Sequence, residues 1–142
     1  MKLALTIIAL VLGSTLFGQN GSVLVEITDV IPEWGGTVRV GLYDKANFPA
    51  EGKALATRSA PAHKLEASVV FADVPVGEYA IAVYQDFNDD EKLNRNFYKA
   101  PTEPYGFSKN VFGRFGPPEF KLVAFLVEAD VETSLKINLE YK

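Results

Sequence analysis

The chain has no cysteine, and it holds one histidine, one tryptophan and one methionine among 142 residues. Without cysteine it forms no disulfide, and no lipid anchor attaches through a cysteine thiol. The single histidine, His63, lies in the small-residue segment SAPAHK, where we expect an exposed loop residue. No G-x-S-x-G motif accompanies it. The sequence therefore predicts no catalytic residues and a role other than that of an enzyme.

Basic residues are fewer than acidic ones, and the formal net charge is −4. Such a surface repels phosphate backbones and anionic lipid headgroups, so nucleic acid is not expected as a partner. Hydrophobic residues make up 48% of the chain, which is enough for one core in a chain too short for two ordinary domains.

The first residues, MKLALTIIALVLGSTLFGQNGS, combine one lysine, a short apolar run and a small, polar exit. This layout is typical of a secretory signal peptide, and the run is too short for a membrane-spanning helix. We therefore predict a signal peptide over 1–20, cut near Gly18–Gln19, and a mature domain over 21–142. The mature protein is expected to be periplasmic or secreted, with no membrane span after cleavage.

Past this segment, apolar residues recur with a period of two, which indicates strands. In SVLVEITDV, alternation places Val23, Val25 and Ile27 on one face, and GTVRVGLYD repeats the pattern. The glycines of the PEWGG segment between them favour a tight turn, so these two strands are predicted to form a hairpin. In GEYAIAVYQD, after a predicted turn at DVPVG with Gly77 free to be left-handed, Tyr79, Ile81 and Val83 are expected to face the core.

Similar segments continue to the end of the chain, without a long amphipathic helix. The predicted fold class is all-β: a single antiparallel β-sandwich of about seven strands with one long ordered aromatic-rich loop.

The second half of the chain resembles an exported bacterial family known as domain of unknown function 2141. The matching elements are the G-x-Y-A strand from Gly77, the D-x-N-x-D run from Asp86, the P-x-E-P-Y-G-F-S block of 101–108 and the G-x-x-G-P-P-x-F block of 113–120. The resemblance covers about residues 22–142. It implies a sandwich like those of transthyretin-like or carboxypeptidase-regulatory-like domains, and a location outside the cytoplasm, but no activity. Where the family usually has N-G-x-L-D, this chain has D-E-K-L-N from Asp90 to Asn94.

The segment DFNDDEKLNRN places oxygen-bearing side chains at positions 1, 3, 5 and 9 of a loop, which are Asp86, Asn88, Asp90 and Asn94. This spacing suits a partial calcium shell of hard oxygen ligands. Glu91 stands where an EF-hand has glycine, and no helix pair is predicted, so only a shorter D-x-N-x-D site is possible. The alternatives are a weak structural calcium site, completed by Asn96, Asp89 or Glu103, and a solvated acidic turn. No other cofactor is expected.

From Asn96 to Glu119 the sequence has no periodicity but many aromatic residues, so we predict an ordered loop packed against one edge or end of the sheets. Its aromatics form either a small satellite core or a ligand platform. Candidate ligand-loop residues are Glu103, Tyr105, Phe107 and Phe115.

Two functions remain open from the sequence. One is an exported, non-enzymatic binding or accessory module for an envelope ligand, glycan or protein. The other is a hydrolase-type enzyme that uses carboxylates around Asp86, Asp90 and Glu103. Carboxylates converging in an apolar pocket would favour the enzyme. Carboxylates around an oxygen cage would favour the module.

Overall fold

A computed structural model describes residues 19–142, and the predicted signal peptide lies almost wholly outside the described residues. The elements are strands β1 (Asn20–Thr28), β2 (Thr37–Tyr43), β3 (Ala56–Pro61), β4 (Ala67–Pro75), β5 (Gly77–Asp86), β6 (Tyr105–Phe107), β7 (Phe125–Val127) and β8 (Glu132–Asn138), with a four-residue helix α1 (Phe120–Val123). Short 3₁₀ turns lie at Pro32–Trp34 and Ser108–Asn110. The all-β prediction is confirmed. No helix among these residues is long and apolar enough to cross a membrane.

The strands form two sheets. One has the order β4-β1-β8, and the other has the order β3-β2-β5-β6 with β7 also paired to β5. Alternating residues of β1, β2, β4 and β5 contribute to one hydrophobic cluster shared by both sheets. In β1 these are Val23, Val25 and Ile27, all fully buried, as the period-two pattern predicted.

The predicted hairpin of β1 with β2 is wrong. β1 pairs with β4 and β8, whereas β2 pairs with β3 and β5. The PEWGG segment crosses from one sheet to the other. Buried Gln85 holds this crossover in place, because its side chain accepts a hydrogen bond from Ile31 N at 2.9 Å and donates to the carbonyls of Ile31 and Gly35 at 2.8 and 2.9 Å. A turn signal alone did not distinguish a hairpin from a crossover.

Three other expectations need correction. The pairing of β1 with β8 is parallel, so the sheets are not purely antiparallel. The DVPVG segment is not a turn within one sheet, because β4 continues to Pro75 and β5 begins at Gly77 in the other sheet. The residue with a left-handed backbone there is Asp73, at φ 53°, rather than Gly77. The long aromatic segment is not one loop, because it contains β6, which pairs with the middle of β5.

Both faces of β5 are covered in its middle. Tyr79, Ile81 and Val83 face the shared core as predicted. On the other face, fully buried Ala80 packs in a second cluster with Phe107 and Val123. Edge-to-face ring contacts join Phe48, Phe107, Phe112, Tyr105 and Phe120 around this cluster. Part of the aromatic segment is therefore a satellite core.

Buried Ser108 secures this second layer. Its hydroxyl accepts a hydrogen bond from Ile81 N at 3.1 Å and donates to the Val123 carbonyl at 2.6 Å. Ile81 lies between the part of β5 that pairs with β7 and the part that pairs with β6. The serine therefore supplies a backbone amide of β5 with an acceptor where neither short strand does so.

Candidate functional site

The last residue of β5, Asp86, has no solvent exposure although it carries a carboxylate. Register places it opposite Thr37 on β2, two residues from Arg39. Arg39 Nε donates to Asp86 Oδ2 at 2.5 Å, and this ion pair raises the pKa of the guanidinium. Gly36, at φ 77°, lies so close that a Cβ there would overlap the carbonyl oxygen of Asp86.

Asp86 also organises the loop that follows it. Its Oδ1 accepts a hydrogen bond from Asp90 N at 3.2 Å, and its Oδ2 accepts one from Glu91 N at 2.9 Å. Asp89 and Glu91 both adopt left-handed backbone conformations, with φ of 53° and 63°. The sharp turn that calcium loops make with glycine is thus present here without one.

Glu103 closes the same loop from its far end. This side chain is fully buried, and its Oε2 accepts a hydrogen bond from Asn94 N at 3.0 Å. Two backbone hydrogen bonds flank this contact: Thr102 N donates to Asn94 O at 2.9 Å, and Gln85 N donates to Pro104 O at 2.9 Å. Burial raises the pKa of the Glu103 carboxyl above its ordinary value, and the nearby Asp86 charge acts in the same direction, while the amide bond from Asn94 opposes them.

Three carboxylates converge at this point. One oxygen from each of Asp86, Asp90 and Glu103 lies within 4.8 Å of the others. Two ligands of one calcium ion are separated by at most twice the ion–oxygen distance, which is about 4.6–5.2 Å. These three oxygens are therefore close enough to contact a single ion.

The amide group of Asn88 lies beside these carboxylates. Asn88 Oδ1 lies 2.9 Å from Asp86 Oδ1 and 3.2 Å from Asp90 Oδ1, so it faces acceptors only. Two arrangements remove this repulsion: the amide turns over and its NH₂ donates to these oxygens, or a cation lies among them. Asn94 Nδ2 donates to Asp90 Oδ2 at 2.8 Å, and this bond lowers the pKa of Asp90.

Negative charge exceeds positive charge around the cluster. Among residues 19–142, Arg39 is the single cationic residue that approaches these acidic groups within 4.0 Å, and it also reaches Asp89 at 3.5 Å and Glu91 at 3.6 Å. One arginine thus faces three carboxylates, with Asp90 and Glu103 beside them. A divalent cation would reduce this repulsion.

The four residues predicted as metal ligands, Asp86, Asn88, Asp90 and Asn94, lie together in one loop, and Glu103 joins them. Asn96, an alternative ligand, does not, because its Oδ1 accepts hydrogen bonds from Tyr98 N and Ala100 N in a separate turn.

The predicted ligand-loop residues separate. Glu103 belongs to the acidic cluster, and Tyr105 and Phe107 line a cleft on the sheet. Phe115 is 95% exposed and does not line that cleft.

Arg39 and Gln85 were not anticipated as site residues. Arg39 carries one visible signal, because the alternation of β2 turns it away from the core. Its pairing with Asp86 depends on the register of β2 against β5, which local sequence does not encode.

Comparison with known proteins gives one match. A family model described as an uncharacterized protein conserved in bacteria, DUF2141, matches residues 25–135. The chain belongs to DUF2141. No curated protein and no solved structure matches this DUF2141 chain.

The sequence blocks that carried the resemblance have identifiable structural roles in this DUF2141 member. The D-x-N-x-D run is the acidic loop. The P-x-E-P-Y-G-F-S block supplies Glu103 to that loop, Tyr105 and Phe107 to β6, and Ser108 to the amide of Ile81. Where the family pattern has glycine, Glu91 takes the left-handed conformation that glycine would adopt.

Proposed function

We propose that this protein is an exported, non-enzymatic binding module in which the acidic loop holds a calcium ion. The observation that carries the proposal is the convergence of Asp86, Asp90 and Glu103, with one oxygen of each within 4.8 Å of the others. Hard oxygens from carboxylates and an amide are the ligands that calcium prefers. The ion would be structural: it would join the end of β5 to Glu103 and so order the intervening loop.

The architecture we propose for the module is a single sandwich of the two sheets. Its support is the hydrophobic cluster that draws buried side chains from both sheets. Export is supported by the signal-like first residues. The partner in the cell envelope would be a small ligand, a glycan or a protein.

The module is favoured over the hydrolase alternative by the position of the carboxylates. None of Asp86, Asp90 and Glu103 is among the residues that line the cleft beside them. Asp86 is bonded to Arg39 and to two loop amides, and Glu103 to the amide of Asn94. Carboxylates that hold the backbone in this way are poorly placed to reach a substrate.

Calcium should raise the melting temperature of the mature domain. Few charged ligands predict weak binding, with a dissociation constant on the order of 10⁻⁴–10⁻³ M, so millimolar calcium is required. Titration calorimetry should show binding, and a chelator should reverse the thermal shift. Asp90→Asn should abolish both effects, because it removes an exposed ligand charge without opening the core.

Asp130→Asn is the matched control, since Asp130 is also exposed and has φ 58°, a conformation that asparagine tolerates. This variant should bind calcium like the wild type. Absence of heat and of a calcium-dependent shift in the wild-type domain would contradict the site and leave a hydrogen-bonded acidic turn.

A further inference from the structure

A cleft of about 440 Å³ lies on the outer face of the five-stranded sheet. This size is within the range of small-molecule sites, about 300–1,000 Å³. Its floor lies where Gly41 on β2 pairs with Ala82 on β5, and neither has a large side chain that would fill the cleft. A side chain at Gly41 would collide with the ring of Tyr43, whose Cε2 lies 2.7 Å from the Cβ position.

Aromatic rings surround this floor. Register places Tyr84 beside Tyr105 and places Ala82 beside Phe107, and all four residues line the cleft together with Tyr43. Rings of this kind pack against the C–H faces of a flat or puckered six-membered ring. The sheet thus offers a slot with a small-residue floor and aromatic walls.

The hydroxyls of these tyrosines are unused. Among residues 19–142, only Tyr79 donates a hydrogen bond from its phenol, and the hydroxyls of Tyr43, Tyr84 and Tyr105 have no protein partner. No side-chain oxygen or nitrogen in this part of the chain is both inaccessible and unpaired, so these three hydroxyls are accessible to solvent. Burial raises the pKa of Tyr84, which keeps its hydroxyl protonated as a donor.

Positive charge at the rim is also unpaired. Arg95 lines the cleft and has no carboxylate within 4.0 Å in the described residues. Arg95 donates instead to the carbonyl of Lys99. The guanidinium of Arg58 does not face the cleft, because it lies over the ring of Phe71 and donates to the Val70 carbonyl of the opposite sheet. Glu91 at the rim is near Arg39, so Glu51 is the one lining carboxylate without an ion pair.

We propose that this cleft binds a sugar ring that carries a carboxylate, such as a uronic acid residue of an acidic glycan. The aromatic walls would hold the ring, and the three phenols with Thr57, Ser59 and Glu51 would bond its hydroxyls. Arg95 would bind its carboxylate. A neutral sugar leaves Arg95 unpaired, and an aromatic acid leaves the hydroxyls unpaired.

This inference rests on the proposed function, because Leu93 and Arg95 of the calcium-ordered segment form one wall of the cleft. The test is therefore made on the mature domain in saturating calcium. Three probes are titrated: galacturonic acid, galactose, which has the same ring without the carboxylate, and benzoate, which has a carboxylate without hydroxyls. Binding is followed by NMR shifts of the arginine side-chain Nε–H and of backbone amides of β2 and β5.

Galacturonic acid should bind at least about tenfold more tightly than either comparison probe. Arg95→Gln should weaken its binding about tenfold or more, and Tyr84→Phe about three- to tenfold, because it removes a hydroxyl and keeps the ring. The matched controls Arg114→Gln and Tyr98→Phe alter exposed residues that do not line the cleft, and they should leave binding unchanged.

Failure of galacturonic acid to bind, or equal binding of galactose or benzoate, would overturn the inference. Equal losses in the cleft variants and their controls would overturn it too. The calcium-dependent thermal shift is recorded on the same sample. If the shift is present and the sugar acid does not bind, the cleft assignment fails while the calcium site stands; if the shift is absent, the proposed function itself fails.

Discussion

Asp86→Asn is expected to lower the free energy of unfolding by about 2–3 kcal/mol in the absence of calcium. The fully buried carboxylate accepts hydrogen bonds from Arg39 Nε, Asp90 N and Glu91 N. The asparagine side chain has only one acceptor oxygen, and its NH₂ group replaces the second carboxylate oxygen. At least one of the three donors therefore loses its acceptor. Urea denaturation in a chelator measures the loss without a contribution from bound calcium.

Asp89→Asn is the control, because Asp89 approaches the same Arg39 at 3.5 Å but is largely exposed. Its contribution is screened by solvent, and the change should cost less than about 1 kcal/mol. Similar small losses in both variants would mean that Asp86 does not anchor the loop.

Substitution by aspartate at a buried position should be severely destabilising on either face of β5. Ile81→Asp buries an unpaired carboxylate in the shared core and should cost at least about 3 kcal/mol. Ala80→Asp should cost nearly as much, because Ala80 has no exposure and lies against Phe107 and Val123. Ala82→Asp should cost less, since Ala82 is half-buried and lines the cleft.

Val70→Asp on β4 is the exposed-strand control, because 46% of Val70 is accessible, and it should change stability least. Thermal and urea unfolding of the four variants measure the order of these stability losses. If Ala80→Asp were as mild as Val70→Asp, the aromatic cluster would not cover the second face of β5.

Period-two alternation was sufficient to predict which side chains of β1 and β5 face the core, because that pattern is local. Which strands pair was not predictable in the same way. Gly35 and Gly36 predict a turn, but only the strand pairings show that the chain changes sheets there. The second face of β5 was missed since the residues that cover it come from distant segments.

In the acidic loop, too, local features were predictable from the sequence and long-range contacts were not. The spacing of Asp86, Asn88, Asp90 and Asn94 is local, and it predicted four residues that the structure brings together. Arg39 belongs to the site through the register of β2 with β5, which period-two alternation leaves open. The cleft likewise combines residues from four strands and the loops above them, so no single motif predicts it.

The most direct test of the account is a crystal structure of the mature domain grown in millimolar calcium. We expect an ion at about 2.3–2.6 Å from oxygens of Asp86, Asn88 and Asp90, with Glu103 contributing an oxygen directly or through water, and an anomalous signal from a substituted lanthanide at the same position. An Asn88 amide turned with its nitrogen toward Asp86 and Asp90, and no ion between them, would contradict the account.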